Sequence, residues 1–445
     1  MSDPFILATM VGLFLTLGYL GVPVAFALMA GVLVGTLFTP VTLTAIVQQM
    51  FNGVDSESLL AVPFFLLVGE LMTSANIAVR IADLSQALVG HIRGGLGQVV
   101  AVFSMFFSGM SGSANADVAV LSRTLGGPMQ RDGYSAAFTA ALIAAASTIA
   151  VLVPPSITAV VYGAVGNVSI AGLFLAGVLP GLMIGIGLML FCYFFGPAGV
   201  RMRRARLPEV GVAAGRAVLP LFIPVILLGG ILSGQFTPSE AGVAAIVWIL
   251  AVVIPALNRG HLARLPRDFC HAGLIYSLPL ITIAAAAAFG WLLAYLRGPL
   301  VVAGWLTDFA GSDPHLIMFS LVALFTVVGD FIEPIPTIII FMPVVTNLVQ
   351  AGDINPVHMG VVLIETLAFG LITPPYGLVL LMSSKFVGVR FLAALRASVP
   401  IYVIFFVTIA FTIFFPAAIL WLPKHFIPQS VGCFRPPGTA TFICP

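Results

Sequence analysis

Charged residues are scarce in this chain. Only 8% of its 445 residues are Asp, Glu, Lys or Arg, whereas 60% are hydrophobic, and the mean hydropathy is +1.16. A soluble protein of this length could not cover its surface with so few charges. The composition therefore predicts a polytopic membrane protein. The net charge of +2 gives no sign of a nucleic-acid partner.

The sequence also lacks the motifs of membrane-embedded enzymes and of ATP-driven pumps. It contains no HExxH, no GxSxG and no P-loop, and its four cysteines do not have the spacing of metal ligands. The basic run at 201–206 has no interleaved aromatic residues, which is typical of a topology signal. We therefore expect neither an enzyme nor a self-contained ATP-driven pump.

The apolar stretches predict ten membrane crossings in two halves that share one order of elements. In each half we expect a span, an interfacial arm, a re-entrant hairpin, a discontinuous helix and a final span. The arms are expected at 76–92 and 298–312, the hairpins at 94–130 and 315–350, and the discontinuous helices at 135–166 and 355–387. The predicted fold class is an all-α polytopic membrane protein with two inverted repeats.

The distribution of Lys and Arg predicts the orientation. With the N-terminus in the periplasm, 15 of the 18 basic residues fall on the cytoplasmic side, provided that neither hairpin is counted as a crossing. Both termini are then periplasmic, and the first hairpin enters from the cytoplasm. We expect the first repeat at 1–196, two basic linkers with two scaffold helices at 197–270, the second repeat at 271–423, and a poorly ordered tail at 424–445.

Polar residues interrupt each hairpin, and a Pro-Pro dipeptide interrupts each discontinuous helix. Ser111 lies 43 residues before Pro154, and Asp330 lies 44 residues before Pro374. Backbone oxygens freed by such breaks must be buried in protein or bind a ligand, and with hydroxyl oxygens they suit a monovalent cation.

Two interpretations of these polar residues stay open. Serine and glycine in membrane helices also serve close packing. Carboxylates within a membrane are functional by default, but Asp117 and Glu333 either bind a ligand, cap the hairpin helices or pair with a neighbour such as Arg123.

At these residues the sequence resembles the large membrane subunit of TRAP (tripartite ATP-independent periplasmic) transporters, within the ion transporter superfamily. The resemblance runs in order from about residue 5 to residue 423. Its most specific stretches are Phe107-Ser108-Gly109-Met110-Ser111-Gly112-Ser113 and Gly370-Leu371-Ile372-Thr373-Pro374-Pro375. The chain departs from the usual family residues at Ser122, Ala150 and Thr366.

The resemblance implies an elevator-type transporter that imports a small organic acid (a dicarboxylate, keto acid or sugar acid) with sodium ions. One sodium site would be built from Ser111, Ser113 and Asn115 with the loop from Ala150 to Pro154. The other would be built from Gly329, Glu333, Gly370 and Thr373. The substrate would lie between them, near Ser147, Thr148, Asp117, Thr337 and Thr366. No organic cofactor is expected.

The same resemblance implies two protein partners in the bacterial inner membrane and periplasm. They are a small four-helix membrane subunit and a soluble periplasmic substrate-binding protein. The alternative is a self-sufficient carboxylate symporter or exporter of the same superfamily, which would transport without a binding protein.

Overall fold

The structure is a computed structural model that describes residues 3–197 and 203–433. Within these two ranges the chain is helical and forms no β-strand. The helices before the first basic linker are α1 (Asp3–Tyr19), α2 (Val24–Leu37), α3 (Leu43–Val54), α4 (Ala61–Ser74), α5 (Ala78–Val89), α6 (Gly95–Ser111), α7 (Ala114–Leu121), α8 (Gly127–Arg131), α9 (Ala136–Ser147), α10 (Ile157–Gly166) and α11 (Ile170–Phe195). Those after it are α12 (Leu207–Leu232), α13 (Pro238–Trp248), α14 (Ile254–Leu257), α15 (Leu265–Tyr295), α16 (Gly298–Ala310), α17 (Pro314–Gly329), α18 (Pro334–Ala351), α19 (Pro356–Gly370), α20 (Leu378–Val387), α21 (Phe391–Phe414), α22 (Pro416–Ile419) and α23 (Trp421–Phe426).

Proline and short polar side chains determine where several helices begin. Proline occupies the first turn of α13, α17, α18 and α19, where its missing N–H group leaves no helical hydrogen bond unmade. Between α16 and α17, the backbone N–H groups of Leu316 and His315 donate to Asp313, and these bonds hold the pKa of its carboxyl below its usual range. Asn355 caps α19 in the same way. The second hairpin and the helix after it therefore begin at well-defined residues.

The first hairpin lies against the first discontinuous helix. Its outgoing helix α6 ends at Ser111, and the chain returns through α7, a π-helical turn at Ser122–Gly126 and α8. The discontinuous helix consists of α9 and α10, separated by a 3₁₀ turn at Thr148–Val151 and a cis peptide bond between Pro154 and Pro155. α6 packs on α9 and on the 3₁₀ turn, so the hairpin covers the break.

The second half repeats this order with different residues. The hairpin consists of α17 and α18, which meet at a turn over residues 330–333. The discontinuous helix consists of α19 and α20, and a cis peptide bond between Pro374 and Pro375 lies between them. α17 packs along α19. The predicted all-α class, with one hairpin and one discontinuous helix in each half, is confirmed.

A separate apolar cluster joins the N-terminal helices to α15. It contains buried residues of α1, α2 and α3 together with the C-terminal part of α15, where the rings of Phe14 and Phe289 lie 5.7 Å apart between centroids. The hairpins and discontinuous helices belong mostly to a larger cluster, although Ile332 and Ile340 of the second hairpin reach the smaller one. The N-terminal helices thus pack around α15 rather than around the breaks.

Six helices of the described ranges are long and apolar enough to span a membrane, and a seventh span results if the bent pair formed by α3 and 58–74 is counted as one. The two parts of that pair meet at 64°. The elements of the discontinuous helices, α9, α10, α19 and α20, are shorter, at 10 to 15 residues. Each of these short pieces needs its partner across the break to complete a crossing.

Two helical segments depart from the expected layout. Leu43–Val54 forms α3, an amphipathic helix that the apolar pattern did not predict, and it packs on α15. α15 is continuous over 31 residues. It begins at Leu265, directly after a 3₁₀ turn at Arg259–Arg264, so that the second basic linker, expected to extend to 270, is helical in its last part. The expected boundary at 270 therefore falls within a helix.

The tail differs as well. The tail was expected to be poorly ordered, but residues 424–433 are ordered. They complete α23 and form a 3₁₀ turn at Pro428–Val431 that packs on α11 and α19. Val431 is buried, and its carbonyl oxygen accepts a hydrogen bond of 3.1 Å from the Asn355 side chain. Interior contacts thus hold a segment whose composition suggested disorder. The rest of the predicted tail, 434–445, and Arg201 of the first basic linker lie outside the described residues.

Candidate functional site

The tip of the first hairpin is organised around a buried carboxylate. Asp117 lies in the first turn of α7 and is fully buried. Its two carboxylate oxygens accept hydrogen bonds from Ser108, at 3.1 Å, and from Ser111. Both serines lie on α6 of the same hairpin, so Asp117 ties the two arms of the hairpin together. Arg123, a possible partner from the sequence, makes no ion pair with Asp117 among the described residues.

Backbone contacts hold this tip on the first break. Gly112 has a left-handed conformation, with φ of +59°, and a Cβ atom added there would lie 2.6 Å from the carbonyl oxygen of Pro155. The N–H group of Ile157, the first residue of α10, donates to the Gly112 carbonyl oxygen at 3.3 Å. The carbonyl oxygen of Pro154 accepts no hydrogen bond from the described residues. A free backbone oxygen is therefore present where a cation ligand was predicted.

The tip of the second hairpin makes a side-chain bond across to its break. The Thr373 hydroxyl donates to the Asp330 carboxylate, and its oxygen also lies 3.2 Å from the carbonyl oxygen of Gly370. Gly370 approaches Gly329 so closely that an added Cβ would lie 2.9 Å from the Gly329 carbonyl carbon. Three of the four residues predicted for the second sodium site, Gly329, Gly370 and Thr373, are therefore in one place.

The fourth residue, Glu333, connects the two hairpins. It is the N-terminal cap residue of α18, but its side chain makes no capping bond there. Instead, the Asn115 amide of the first hairpin donates to the Glu333 carboxylate at 3.4 Å. The structure thus brings the two tips together through residues that the sequence assigned to different sodium sites.

A cavity of about 710 Å³ opens beside these tips. One wall comes from the hairpins and includes Ser113, Asn115 and Glu333. Other lining residues come from α4, from the 3₁₀ turn at Arg259–Arg264 and from the N-terminal part of α15. The volume is in the range of sites for small organic molecules. The cavity therefore offers room for a small molecule next to the predicted ion sites.

The residues predicted to contact substrate are not in the walls of this cavity. The hydroxyls of Ser147, Thr148, Thr337 and Thr366 donate to backbone carbonyls three or four residues earlier in their own helices. All four side chains are buried, as is Asp117. Ala150, predicted for the first sodium site, is likewise buried at the 3₁₀ turn. Their direct roles in binding stay predictions.

The serine, histidine and aspartate beside the cavity do not form a catalytic triad. His261 Nε2 lies 2.5 Å from Asp268, and the Ser74 hydroxyl lies 3.1 Å from the same Asp268 oxygen and 3.3 Å from the same histidine nitrogen. A triad needs the carboxylate on one ring nitrogen and the serine on the other. This cluster instead joins the end of α4 to α15, and it is a structural contact.

Several residues of the site were not assigned to it from sequence. Asp330 was recognised from the sequence as the polar break of the second hairpin, but it was not assigned to the second sodium site. Arg264, Arg267 and His271 line the cavity from α15. Their spacing of three and four residues places them on one helix face, but the expected division at 270 concealed that pattern.

A family model described as the DctM component of the tripartite ATP-independent periplasmic transporter matches residues 11–418 of this chain. The chain belongs to this family. The TRAP large permease is a transport protein and not an enzyme, and its many apolar helices make it a multi-pass protein of the bacterial inner membrane. The resemblance seen in the SGS and GLITPP motifs is therefore confirmed.

Curated relatives of this large permease cover most of its length. It is 35% identical over 401 residues to the C4-dicarboxylate TRAP transporter large permease protein DctM of Pseudomonas aeruginosa, covering 89% of this chain and 93% of the relative. It is 36% identical over 416 residues to the sialic acid TRAP transporter large permease protein SiaM of Vibrio cholerae, covering 92% of this chain and 96% of the relative.

Among solved structures, the permease is similar to the YdaH transporter of Alcanivorax borkumensis, whose crystal structure was described as having an unusual topology. The TM-score is 0.57 at 16% identity, and the match covers 84% of this chain and 88% of the other. At this identity the likeness concerns the fold, which is that of an all-α membrane transporter.

Proposed function

We propose that this chain is the sodium-coupled permease subunit of a TRAP transporter that imports a small organic acid. The observation that carries the proposal is common to both breaks: a hydroxyl group donates its hydrogen to a buried or half-buried carboxylate. Ser111 does so to Asp117, and Thr373 does so to Asp330. A hydroxyl in this state directs its oxygen lone pairs away from the carboxylate, which leaves them available to a cation.

The proposed sodium sites combine these hydroxyls with backbone oxygens. At the first break the further ligands would be Ser113 and the carbonyl oxygens of 150–154. At the second break they would be the carbonyl oxygens of Gly329 and Gly370, of which that of Gly370 lies 3.2 Å from the Thr373 hydroxyl oxygen. Hard monovalent cations prefer neutral oxygen ligands of this kind. These are the residues that would hold the coupling ions; Asn115 and Glu333 lie between the two groups.

The hairpins and discontinuous helices are proposed to move as one unit against the remaining helices, as in an elevator. Support comes from the bonds between Gly112 and Ile157, between Thr373 and Asp330, and between Asn115 and Glu333, which join all four elements. The N-terminal helices pack in a separate apolar cluster around α15, which the proposed moving unit contacts through α18 of the second hairpin and through Tyr376.

Two curated relatives are named for C4-dicarboxylates and for sialic acid, and both classes of substrate carry carboxylates. We therefore assign a small carboxylic acid to this chain, delivered by a soluble periplasmic binding protein and transported together with a small four-helix membrane subunit. Both termini are placed in the periplasm, since this orientation puts most Lys and Arg residues in the cytoplasm.

Reconstituted uptake tests the proposal. The permease, its small subunit and its binding protein are placed with liposomes, and uptake of radiolabelled succinate, pyruvate, gluconate and N-acetylneuraminate is measured with and without an inward sodium gradient. At least one acid should accumulate only with the gradient and only with the binding protein. Accumulation that ignores sodium contradicts the coupling, and accumulation without the binding protein favours the self-sufficient symporter.

A further inference from the structure

Three arginines line the cavity beside the hairpin tips. Arg264 and Arg267 lie at the start of α15, and Arg123 lies on the first hairpin, where its guanidinium is 5.8 Å from the ring centroid of Phe386. All three arginines are exposed. The cavity is therefore lined by guanidinium groups from two separate parts of the fold.

The acidic groups of the cavity form no ion pair with these arginines in the described part of the chain. Glu70 lies 2.9 Å from His271, Asp268 lies 2.5 Å from His261, and Glu333 accepts from Asn115. By contrast, none of the three arginines forms an ion pair or a hydrogen bond with any residue in 3–197 or 203–433. Each carboxylate in the wall thus has a neighbour of its own, while the guanidinium groups are available.

Membrane topology does not explain why these arginines face the cavity. A cytoplasmic linker gains its topological effect from basic residues anywhere along it. Arg259 supplies a positive charge to the same linker without lining the cavity, and its Nε donates to the carbonyl oxygen of Pro255 at 2.9 Å. Arg264 and Arg267 differ from it in that they line a cavity beside the ion sites.

We propose that Arg264 and Arg267, with Arg123 of the first hairpin, form an anion-binding vestibule that receives the carboxylate of a small organic acid. Guanidinium groups without partners offer paired N–H donors that match a carboxylate, and a narrow cavity with low-dielectric walls concentrates the attraction. That this acid is the transported one rests on the proposed function; that the cavity attracts anions does not.

Thiol modification tests the vestibule without any knowledge of the substrate. Ala119 lines the cavity and has no assigned role, so Ala119→Cys provides a reporter in full-length protein whose exposed Cys270 is replaced by serine. The Cys270→Ser parent serves as the blank. Rates are compared for an anionic reagent, 2-sulfonatoethyl methanethiosulfonate, and its cationic 2-trimethylammonioethyl counterpart, each corrected for reaction with a free thiol.

We expect a corrected anion-to-cation rate ratio of about ten in the Ala119→Cys reporter. The ratio should fall towards one in the Arg264→Gln/Arg267→Gln variant. The matched control Arg259→Gln, which removes a charge from the same linker, should leave the ratio within about twofold, and Arg264→Lys/Arg267→Lys should retain most of it. Equal ratios in the double glutamine variant and in Arg259→Gln overturn the proposal.

A second measurement tests the preference for carboxylates. Succinate should slow the reaction of the Ala119→Cys reporter with neutral methyl methanethiosulfonate, whereas uncharged succinamide and sodium chloride of equal ionic strength should not. The protection should disappear in Arg264→Gln/Arg267→Gln. Equal protection by succinate and succinamide shows that no carboxylate is recognised and overturns that part of the proposal. Failure of sodium-driven uptake is a separate result and leaves both thiol measurements valid.

Discussion

In the first hairpin, Asp117 accepts hydrogen bonds from Ser108 and Ser111, two serines on the preceding helix of the same hairpin. In the second hairpin, Asp330 accepts from Thr373, which lies on the discontinuous helix. The first tip is therefore held together internally and is bonded to its break through the backbone of Gly112, while Ser104, further back on α6, donates to Ala146. The second tip is bound to its break by the side chain of Thr373. Two halves with one order of elements thus stabilise their breaks differently.

This difference has a consequence for ion binding. A cation at the first break would meet a hairpin whose hydroxyls are already oriented by Asp117, so little rearrangement is needed. A cation at the second break would bind beside the Asp330–Thr373 bond, which itself joins hairpin to helix. Binding there should therefore be linked more closely to the contact between the two elements.

The largest expected effect comes from the glycines that allow each tip to touch its break. Gly112→Ala should destabilise the protein by about 2–4 kcal/mol, because it adds both left-handed strain and a clash with Pro155. Gly370→Ala should cost less, since only the contact with Gly329 is affected. Thermal unfolding in detergent measures the loss of stability in both variants. Gly127→Ala is the control, because its Cβ would meet nothing within 4 Å. A greater loss in Gly370→Ala than in Gly112→Ala contradicts this ranking.

The next effect concerns sodium. Ser111→Ala and Thr373→Val should each raise the sodium concentration for half-maximal uptake by about tenfold, because each removes a hydroxyl ligand and one hydrogen bond to a buried or half-buried carboxylate. Thr326→Val is the control: its hydroxyl lies on the second hairpin but donates only to Val322 of its own helix. Unchanged sodium dependence in both test variants rules out the proposed ion sites and leaves the family assignment intact.

Hydrogen exchange separates the two ways of stabilising a break. Ser108→Ala should raise amide exchange about tenfold within 108–121 and leave 148–158 unaffected, since the Gly112–Ile157 backbone bond is intact. Thr373→Val should raise exchange in both 329–335 and 370–378, because the lost bond connected them. Mass spectrometry of proteolytic peptides measures the exchange of each segment in both variants. Faster exchange across 148–158 in Ser108→Ala shows that the first hairpin is not held internally.

Much of this arrangement could be predicted from the sequence, because breaks in membrane helices are marked by polar residues and prolines within apolar stretches. The polar run at Ser111 and the Pro-Pro dipeptides located both hairpins and both discontinuous helices, since such residues are costly in lipid unless a break requires them. α3 was missed because its polar and apolar faces dilute its hydropathy.

The pairing of side chains could not be predicted in the same way. Asp330 and Thr373 are 43 residues apart, and Asn115 and Glu333 are 218 apart; nothing local in the sequence says which hydroxyl or amide each carboxylate meets. The basic wall of the cavity was hidden for a related reason. The topology rule already accounts for arginines in a cytoplasmic linker, so the sequence offered no reason to assign them to a binding cavity. The structure shows that Arg264 and Arg267 line the cavity beside the hairpin tips.

The smallest expected effect tests whether the two sites are separate. The Asn115–Glu333 bond is long, at 3.4 Å, and it joins the two hairpins through side chains that also line the cavity. Asn115→Ala should therefore change the sodium concentration for half-maximal uptake by no more than about twofold, the value expected for a weak bond of about 0.5 kcal/mol. Asn347→Ala, whose amide donates only to Pro343 within α18, is the control.

A tenfold change in Asn115→Ala would have a different meaning. Asn115 would then act as an ion ligand comparable with Ser111, as the sequence predicted, and its contact with Glu333 would place one ligand of each proposed site within a single network. The double variant Asn115→Ala/Glu333→Gln distinguishes the cases: additive effects indicate two independent sites, and an effect no larger than that of either single change indicates one shared site. In the second case the contrast between the hairpins would concern only how each tip is held, and not which ion it binds.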